Sequence, residues 1–176
     1  MAFETIDYLK SGNPKQVRAY HVLTQHYILS KLNTYDPLLT GTIPINIDIE
    51  TSDLDIICSF SEKEEFTTKL KELFSKQSNF KIWENKYHQA IVAHFTIDEF
   101  EIEVFGQNKP TREQLAYRHM LIEHEILQVK NESFRQQIIA LKKQGYKTEV
   151  AFGLLLGLTE NPYEQLLTYT AHQKKN

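Results

Sequence analysis

The sequence predicts an α/β fold, in which a small mixed β-sheet with flanking helices is followed by a C-terminal helical part. Three observations support this: apolar residues recur at helical spacing near the start, short segments rich in β-branched and aromatic residues fill the middle, and helical patterns follow residue 110. We therefore expect an α/β core over residues 1–110 and a helical subdomain over residues 111–176 packed on the core.

The first part of the chain predicts one helix and two strands. Apolar residues at helical spacing predict a helix over residues 15–33, and residues 36–42 (DPLLTGT) predict a short strand that ends near Gly41. Isoleucines occupy alternate positions of the next segment, so we expect an extended loop or strand over residues 43–52. The run SDLDIICSF over residues 52–60 predicts a buried strand.

The remaining elements are a helix, three strands and a series of helices. Residues 61–77 predict an amphipathic helix, and the turn at Asp98-Glu99 predicts a hairpin between the last two strands. The three strands are predicted over residues 80–84, 89–97 and 100–106. The C-terminal helices are predicted over residues 111–129, 131–145, 147–158 and 161–173.

Composition restricts the class of protein. A formal net charge of −3 disfavours a long nucleic acid as partner, and no apolar run approaches the roughly 20 residues that span a bilayer, so we expect no membrane association. The N-terminal residues lack a basic segment followed by an apolar one, and the single Cys58 lies in an apolar run that predicts a buried thiol. These features predict a cytoplasmic protein.

Two aspartates interrupt the buried strand predicted over residues 52–60. Asp53 and Asp55 flank one leucine, and alternate side chains of a strand project to the same face, so the two carboxylates lie about 6 to 7 Å apart along the chain. Two like charges side by side are unfavourable unless something compensates them. The simplest compensation is a cation. The alternative is that the pair caps a loop or pairs with a basic side chain.

These residues resemble the motif of a known superfamily. Gly41-Thr42 closes one strand, Asp53-Leu54-Asp55-Ile56 follows about ten residues later, and the later strand FEIEVFG carries Glu101 and Glu103. This arrangement resembles the nucleotidyltransferase superfamily typified by DNA polymerase beta, which also includes the aminoglycoside nucleotidyltransferases and the small bacterial antitoxin-type nucleotidyltransferases. A closer similarity is to a family of uncharacterised bacterial proteins, known only as a domain of unknown function. It is carried by two sequence segments, GTIPINIDIETSDLDIIC and AYRHMLIEHEIL.

The resemblance implies a fold, a metal and a set of site residues. It implies a nucleotidyltransferase-like core that binds a nucleoside triphosphate with Mg²⁺, or with Mn²⁺ in its place, at Asp53, Asp55 and a third carboxylate. We prefer Glu103 as the third, because Glu101 is closer to the turn and more easily solvated; Glu101 is the alternative. Gly41 and Thr42 would lie against the triphosphate.

Two further residues complete the predicted nucleotide site. Ser52 is expected to orient the backbone of Asp53 in a turn, with a substrate contact as its second role. Arg118 on the first C-terminal helix is one candidate for the cation that binds the triphosphate. This cation is needed because residues 43–50 hold no basic side chain where many relatives have a short basic helix. The other candidates are Lys81, Lys86 and Lys109.

The predicted function is transfer of a nucleoside monophosphate to a hydroxyl of a small molecule, a protein or an RNA end. The alternative is a catalytically degenerate relative that binds a nucleotide or a partner protein. Gly153 and Gly157, four residues apart, are compatible with close helix packing, either inside the domain or in a homodimer.

Overall fold

A computed structural model describes residues 3–169 of the chain and shows a five-stranded mixed sheet with flanking helices. The strands are β1 (Leu38–Thr40), β2 (Leu54–Ser59), β3 (Ser78–Asn85), β4 (Ala90–Ile97) and β5 (Phe100–Gln107). The helices are α1 (Pro14–Gln25), α2 (Ile28–Lys31), α3 (Lys63–Phe74), α4 (Leu115–Val129), α5 (Glu132–Lys143), α6 (Thr148–Leu156) and α7 (Pro162–Leu167).

The sheet brings β2 and β5 together although they are far apart in sequence. The strand order is β1-β2-β5-β4-β3, and the β2–β5 pair is parallel while the other three pairs are antiparallel. The chain between β2 and β5 forms α3 and the β3–β4 hairpin, so β5 returns to the open edge of β2. This parallel pair is the place where residues from two distant motifs can meet.

The two faces of the sheet have different coverings. Leu54, Ile56 and Cys58 of β2 belong to a buried apolar cluster that also contains residues of α1 and α3. Ile57 of β2 belongs to a second cluster, formed with residues of the C-terminal helices. The alternation of a strand therefore sends Asp55 to the face of Ile57, away from the first cluster.

The predicted helix over residues 15–33 is wrong in one respect: it is interrupted. α1 ends at Gln25, and Tyr27 adopts a left-handed conformation with φ 56° before α2 begins at Ile28. The interruption turns the chain so that Ile28 and Leu32 remain completely buried in the first cluster. Helical spacing predicted the buried residues but not the change of direction between them.

The alternating isoleucines of residues 43–52 form a looped segment rather than a strand. Ile43 packs in the first cluster, whereas Ile45 and Ile47 pack in the second, so the segment crosses between the two hydrophobic regions. Asn46 has φ 58°, which lets the chain turn there. An alternating apolar pattern therefore arises without sheet pairing.

The C-terminal helices pack on the sheet through the second cluster. Tyr117, Met120 and Phe152 from these helices join Leu38 and Ile57 from the strands. The predicted helix over residues 161–173 is described to residue 169, where α7 has already ended at Leu167, and the rest of it lies outside the described residues. Among the described helices, none combines the length and apolar character needed to cross a membrane.

Candidate active site

Two of the predicted acidic residues are direct neighbours across the parallel strands. Asp55 of β2 pairs in register with Glu103 of β5, so their side chains leave the sheet side by side. Asp53 immediately precedes β2 and is partly buried. The fold thus joins the Asp-x-Asp motif to an acidic residue almost 50 positions later in the chain.

Gly41 fits closely against the Asp55 carboxylate. Its φ of +81° is a conformation that side-chain-bearing residues rarely adopt, and a Cβ added at this position would overlap Asp55 Oδ2. The next residue, Thr42, places its hydroxyl 3.1 Å from Ser52 Oγ. Ser52 Oγ also accepts a hydrogen bond of 2.9 Å from the backbone N–H of Ile49. The predicted turn role of Ser52 is therefore visible as a bond that closes residues 49–52.

The carboxylates of the site destabilise one another. Burial raises the pKa of Asp55 well above its ordinary value, and the charges of Asp53 and Glu103 raise it further. Burial also raises the pKa of Glu103, with Asp53 as the next cause. Lys147 partly offsets both effects. A site in which like charges gather without full compensation favours a bound cation.

The other acidic candidate lies elsewhere. Glu101 is on the same strand as Glu103, but its side chain is 67% exposed and faces His94, whose Nε2 is 3.6 Å from Glu101 Oε2. Glu103 lines the cavity described below, whereas Glu101 does not. Asp48 Oδ1 accepts a hydrogen bond of 2.8 Å from the Asn13 side chain, and Asp48 does not line the cavity.

A cavity of about 510 Å³ opens in front of the carboxylates, between the sheet and the C-terminal helices. Its sheet side includes Gly41, Thr42, Asp55 and Glu103, so the structure brings four predicted site residues to one wall. Its basic side chains are Lys109 and Lys147, of which sequence reasoning named only Lys109. Its helix side adds His119, Glu123, Glu149 and Tyr163.

Arg118 lies apart from these residues. Its side chain is exposed on α4 and does not line the cavity, whereas its neighbour His119 does. Lys81 and Lys86 likewise do not contribute to the lining. His119 and Glu123 are four residues apart and therefore share a helix face, but this spacing alone does not show that the face meets the cavity.

The segment between Gly41 and Asp53 is held by basic side chains from the surrounding helices. Lys15 donates to the carbonyls of Ile49 and Glu50, both at 2.8 Å. Lys142 Nζ donates to the carbonyl of Ile47 at 2.8 Å, and Arg135 to the carbonyl of Ile45 at 2.8 Å. These bonds fix the backbone that leads into the aspartates, although the segment itself has no basic residue.

Lys142 is buried, and burial lowers its pKa to about 8. The negative charges of Glu123 and of three aspartates act in the opposite direction and favour the charged form. A lysine in this position lies within the electrostatic influence of the acidic site without lining the cavity.

The donor set suits a hard divalent cation. Carboxylate oxygens are the side-chain ligands that Mg²⁺ prefers, and Asp55 and Glu103 offer them next to each other. As the side chains stand, no group of three or more His, Cys, Asp or Glu residues within residues 3–169 is arranged to hold a metal ion.

Comparison with known proteins identifies a family and structures of similar fold. A family model described as a domain of unknown function, DUF4269, matches residues 21–169. No curated protein matches the chain. Structures of Cid1 poly(U) polymerase are similar to this chain. The MgGTP-bound form has a TM-score of 0.55 at 14% identity, and the match covers 73% of this chain and 41% of that one.

Two further structures show the same fold. A cytoplasmic RNA terminal U-transferase has a TM-score of 0.55 at 14% identity, with 73% of this chain covering 39% of that one. The GLD-2/RNP-8 complex has a TM-score of 0.61 at 12% identity, with 100% of this chain covering 74% of that one. The chain thus spans less than half the length of the Cid1 and U-transferase structures and about three quarters of the chain matched in the GLD-2/RNP-8 complex. Its fold is that of the nucleotidyltransferases.

Proposed function

Because the chain belongs to the DUF4269 family and has the nucleotidyltransferase fold, we propose that it is a nucleotidyltransferase that transfers a nucleoside monophosphate to a hydroxyl. The observation that carries the proposal is the pairing of Asp55 with Glu103 across the parallel strands, at the wall of the cavity and against Gly41. A fold of this kind can host other functions, so the carboxylate site carries the argument.

Asp53, Asp55 and Glu103 would hold Mg²⁺, or Mn²⁺ in its place. The ion, when bound, would neutralise triphosphate charge and act as a Lewis acid toward the transferred phosphoryl group. The crowding that raises the pKa values of Asp55 and Glu103 supports this role, because a divalent cation would stabilise both ionised groups. Glu101, exposed beside His94, is the less suitable third carboxylate.

The chain would bind the triphosphate through backbone and basic groups. Gly41 has no side chain that would block a close approach of the triphosphate to the backbone, and Thr42 and Ser52 supply hydroxyl groups next to it. Lys109 and Lys147 line the cavity and are better placed than the exposed Arg118 to contact phosphate oxygens. In the reaction, an acceptor oxygen bonds to the α-phosphorus, the bond to the bridging oxygen breaks, and pyrophosphate and a proton are released.

The neighbours do not define the acceptor. The Cid1 structures concern a poly(U) polymerase and include complexes with MgGTP and with a UTP analogue. This chain has a net charge of −3, which favours a small molecule, a protein side chain or a short RNA end over long RNA. A cytoplasmic location is part of the proposal and agrees with the single, buried Cys58 thiol.

A second candidate function is nucleotide or protein binding without transfer. It is favoured by one observation, namely that residues 43–50 carry no basic side chain where many relatives have a short basic helix. This candidate predicts a nucleotide complex that yields no product with any acceptor. A transfer assay with radiolabelled nucleotide therefore separates the two functions.

The first experiment is a thermal-shift screen of the four nucleoside triphosphates with Mg²⁺, with Mn²⁺ and with EDTA. At about 100 times its dissociation constant, a ligand should stabilise the protein by about 2.7 kcal/mol, or roughly 5 to 10 °C for a chain of this size. The Asp53→Asn/Asp55→Asn double variant should lose the metal-dependent shift. A shift retained in this variant would contradict the proposed site.

The control variant carries the same charge change on the other side of the sheet. Glu64→Gln/Glu65→Gln alters two exposed carboxylates in the first turn of α3, and its ligand-induced shift should equal that of the unmodified protein. Each shift is measured relative to the same variant without ligand, because Asp55→Asn changes the stability of the protein itself. A flat response of the unmodified protein to all four nucleotides would contradict the proposed function.

A further inference from the structure

The cavity contains a second acidic region on its helix side, away from the sheet. Glu123 of α4 is only 4% exposed, yet it lines the cavity, and its Oε1 has no hydrogen-bond partner among the described residues. A buried carboxyl oxygen without a donor is unfavourable. Such an atom at a cavity wall indicates a group that arrives from outside the protein.

The residues beside Glu123 add negative charge and an aromatic ring. Burial raises the pKa of Glu123 well above its ordinary value, and the charge of Glu149 raises it further. Glu149 lines the same wall, with its Oε1 3.7 Å from His119 Nδ1. His119 Nε2 donates to the Tyr163 carbonyl at 2.8 Å, and the Tyr163 ring centroid lies 6.3 Å from that of His119. Both residues line the cavity.

The nearby basic residue does not satisfy Glu123. Lys142 reduces the pKa of Glu123, but its Nζ is directed to the Ile47 carbonyl, and no ion pair within 4 Å joins the two side chains. His119 Nε2 is already bonded to a carbonyl. In the part of the chain that the structure describes, the Glu123 oxygen therefore remains available to a ligand.

We propose that Glu123, Glu149 and Tyr163 form an amine subsite that binds a protonated amino group carried by the acceptor. The inference rests on the proposed function and adds the class of acceptor: a small hydroxyl compound that also carries an amine. An ammonium group supplies the donor that Glu123 Oε1 lacks and matches the two carboxylates. The aromatic ring of Tyr163 would offer a further favourable contact for a cation.

A cationic acceptor is a better match than a neutral one. A neutral N–H group would satisfy one oxygen but would leave the repulsion between Glu123 and Glu149 unchanged, whereas an ammonium group offsets both charges. The cavity volume of about 510 Å³ is within the range of small-molecule sites, and both Asp55 and Glu123 line the cavity. A nucleotide at the sheet side and an amine at the helix side would thus share one cavity.

The test compares matched probes with and without an amine. Binding of glucosamine and glucose, and of ethanolamine and ethylene glycol, is measured by saturation-transfer NMR on the full chain. We expect each amine to bind at least 10-fold more tightly than its neutral partner. Equal affinity within both pairs would overturn the inference.

Variants assign the preference to the proposed residues. Glu123→Gln keeps the shape of the side chain and should reduce amine affinity about 10-fold, while Glu125→Gln, on the exposed face of the same helix, should leave it unchanged. Glu149→Gln provides a partly exposed second variant in case Glu123→Gln fails to fold. Unchanged amine binding in folded Glu123→Gln, or a change in nucleotide base preference alone, would overturn the subsite.

The outcome can be separated from that of the proposed function. Asp53→Asn/Asp55→Asn should retain amine binding while it loses the metal-dependent nucleotide shift. Nucleotide binding without amine preference would overturn the subsite and leave the transferase proposal intact. Amine binding without any nucleotide binding would support the subsite as a binding site but contradict transfer as its purpose.

Discussion

The two faces of the sheet differ in what they bury, although the same strands form both. On one face, Leu54, Ile56 and Cys58 of β2 pack into an apolar cluster with α1 and α3. On the other face, Asp55 points to the cavity between the sheet and the C-terminal helices. We refer to these as the apolar face and the cavity face.

Buried ionisable side chains concentrate on the cavity side. Glu123, His119 and Lys142 are each less than 9% exposed, and all three come from the C-terminal helices. Burying such groups lowers stability unless they have hydrogen-bond partners. His119 and Lys142 each donate to a backbone carbonyl, whereas Glu123 Oε1 has no partner among the described residues, which favours a role in binding for Glu123. The apolar face supplies stability, and the alternation of the strands lets one segment serve both purposes.

The largest effect that distinguishes the faces is expected from matched phenylalanine truncations. Phe95 is fully buried on the apolar face, stacked on Phe74 with ring centroids 4.4 Å apart. Phe95→Ala should lower the free energy of unfolding by about 3 to 5 kcal/mol. Phe105→Ala, on the neighbouring strand and at the cavity wall, should cost under about 2 kcal/mol because Phe105 is only partly buried.

Urea denaturation of both variants measures this difference. The comparison is direct because the two residues are of the same type and lie on adjacent strands of one sheet. Equal losses would show that the cavity face is packed as tightly as the apolar face and would remove the basis of the distinction.

The next effect concerns Gly41, where the cavity face begins. Gly41→Ala must adopt a φ of +81° and also displace the Asp55 carboxylate, so we expect a loss of about 2 to 4 kcal/mol and of the metal-dependent nucleotide shift. Gly157→Ala is the control, because Gly157 has φ +70° and nothing lies within 4 Å of an added Cβ. It should cost about 1 to 2 kcal/mol and leave nucleotide binding unchanged.

Thermal unfolding and the nucleotide screen, applied to both glycine variants, separate strain from displacement. If the two variants lost equal stability, backbone strain alone would explain Gly41, and its contact with Asp55 would have no energetic consequence.

The sequence pointed to residues on the sheet side of the cavity but not to those on its helix side. Strand alternation and a motif led to Asp55 and Glu103, which line the cavity, and to Asp53, which precedes β2 and does not line it. Their role as metal ligands remains a prediction. Glu123 and Lys147 could not be identified in this way, because their approach to the cavity depends on how the C-terminal helices pack. The exposed position of Arg118 has the same cause: helix spacing alone does not give the rotation of α4 relative to the sheet.

The fold class could be predicted, whereas the left-handed turn at Tyr27 could not, and the sequence left open whether residues 43–52 form a loop or a strand. The strands and most helices follow their apolar periodicity. The left-handed turn at Tyr27 and the looped course of residues 43–52 depend on tertiary packing, in which buried residues on one segment join two different clusters. The proposed division at residue 110 remains a prediction.

A smaller effect, of opposite sign, is expected when charge is removed from the cavity face. The pKa of Asp55 is raised in the folded protein, so the folded state binds a proton more readily than the unfolded chain does. The stability of the unmodified protein should therefore fall as pH rises from about 4 through the raised pKa. Asp55→Asn carries no such charge and should be more stable at neutral pH by about 1 to 3 kcal/mol when no metal is added.

The gain from Asp55→Asn should shrink as pH falls and vanish below about pH 4, where the aspartate is protonated in both states. Urea denaturation in EDTA at several pH values measures it. Addition of Mg²⁺ and nucleotide should favour the unmodified protein alone. A pH-independent gain, or a loss at neutral pH, would show that Asp55 is not under electrostatic strain.

The smallest effect is expected at Ser52, whose hydroxyl connects Thr42 with the turn at residues 49–52. Its Oγ accepts from the Ile49 N–H at 2.9 Å and lies 3.1 Å from the Thr42 hydroxyl. Ser52→Ala should lower the free energy of unfolding by about 1 kcal/mol, because it removes a turn bond and leaves the Ile49 N–H without its partner. Ser133→Ala, at an exposed position of α5, should be neutral within about 0.5 kcal/mol.

The two readouts of Ser52→Ala separate its predicted roles. If Ser52 only closes the turn, the variant should lose stability while the metal-dependent nucleotide shift, measured against its own ligand-free state, stays the same. If Ser52 also contacts the substrate, that shift should fall as well. A stable variant with an unchanged shift would contradict both roles. Because Ser52 immediately precedes Asp53, the position of the aspartates would then have to be fixed by the bonds that Lys15 and Lys142 make to the preceding backbone.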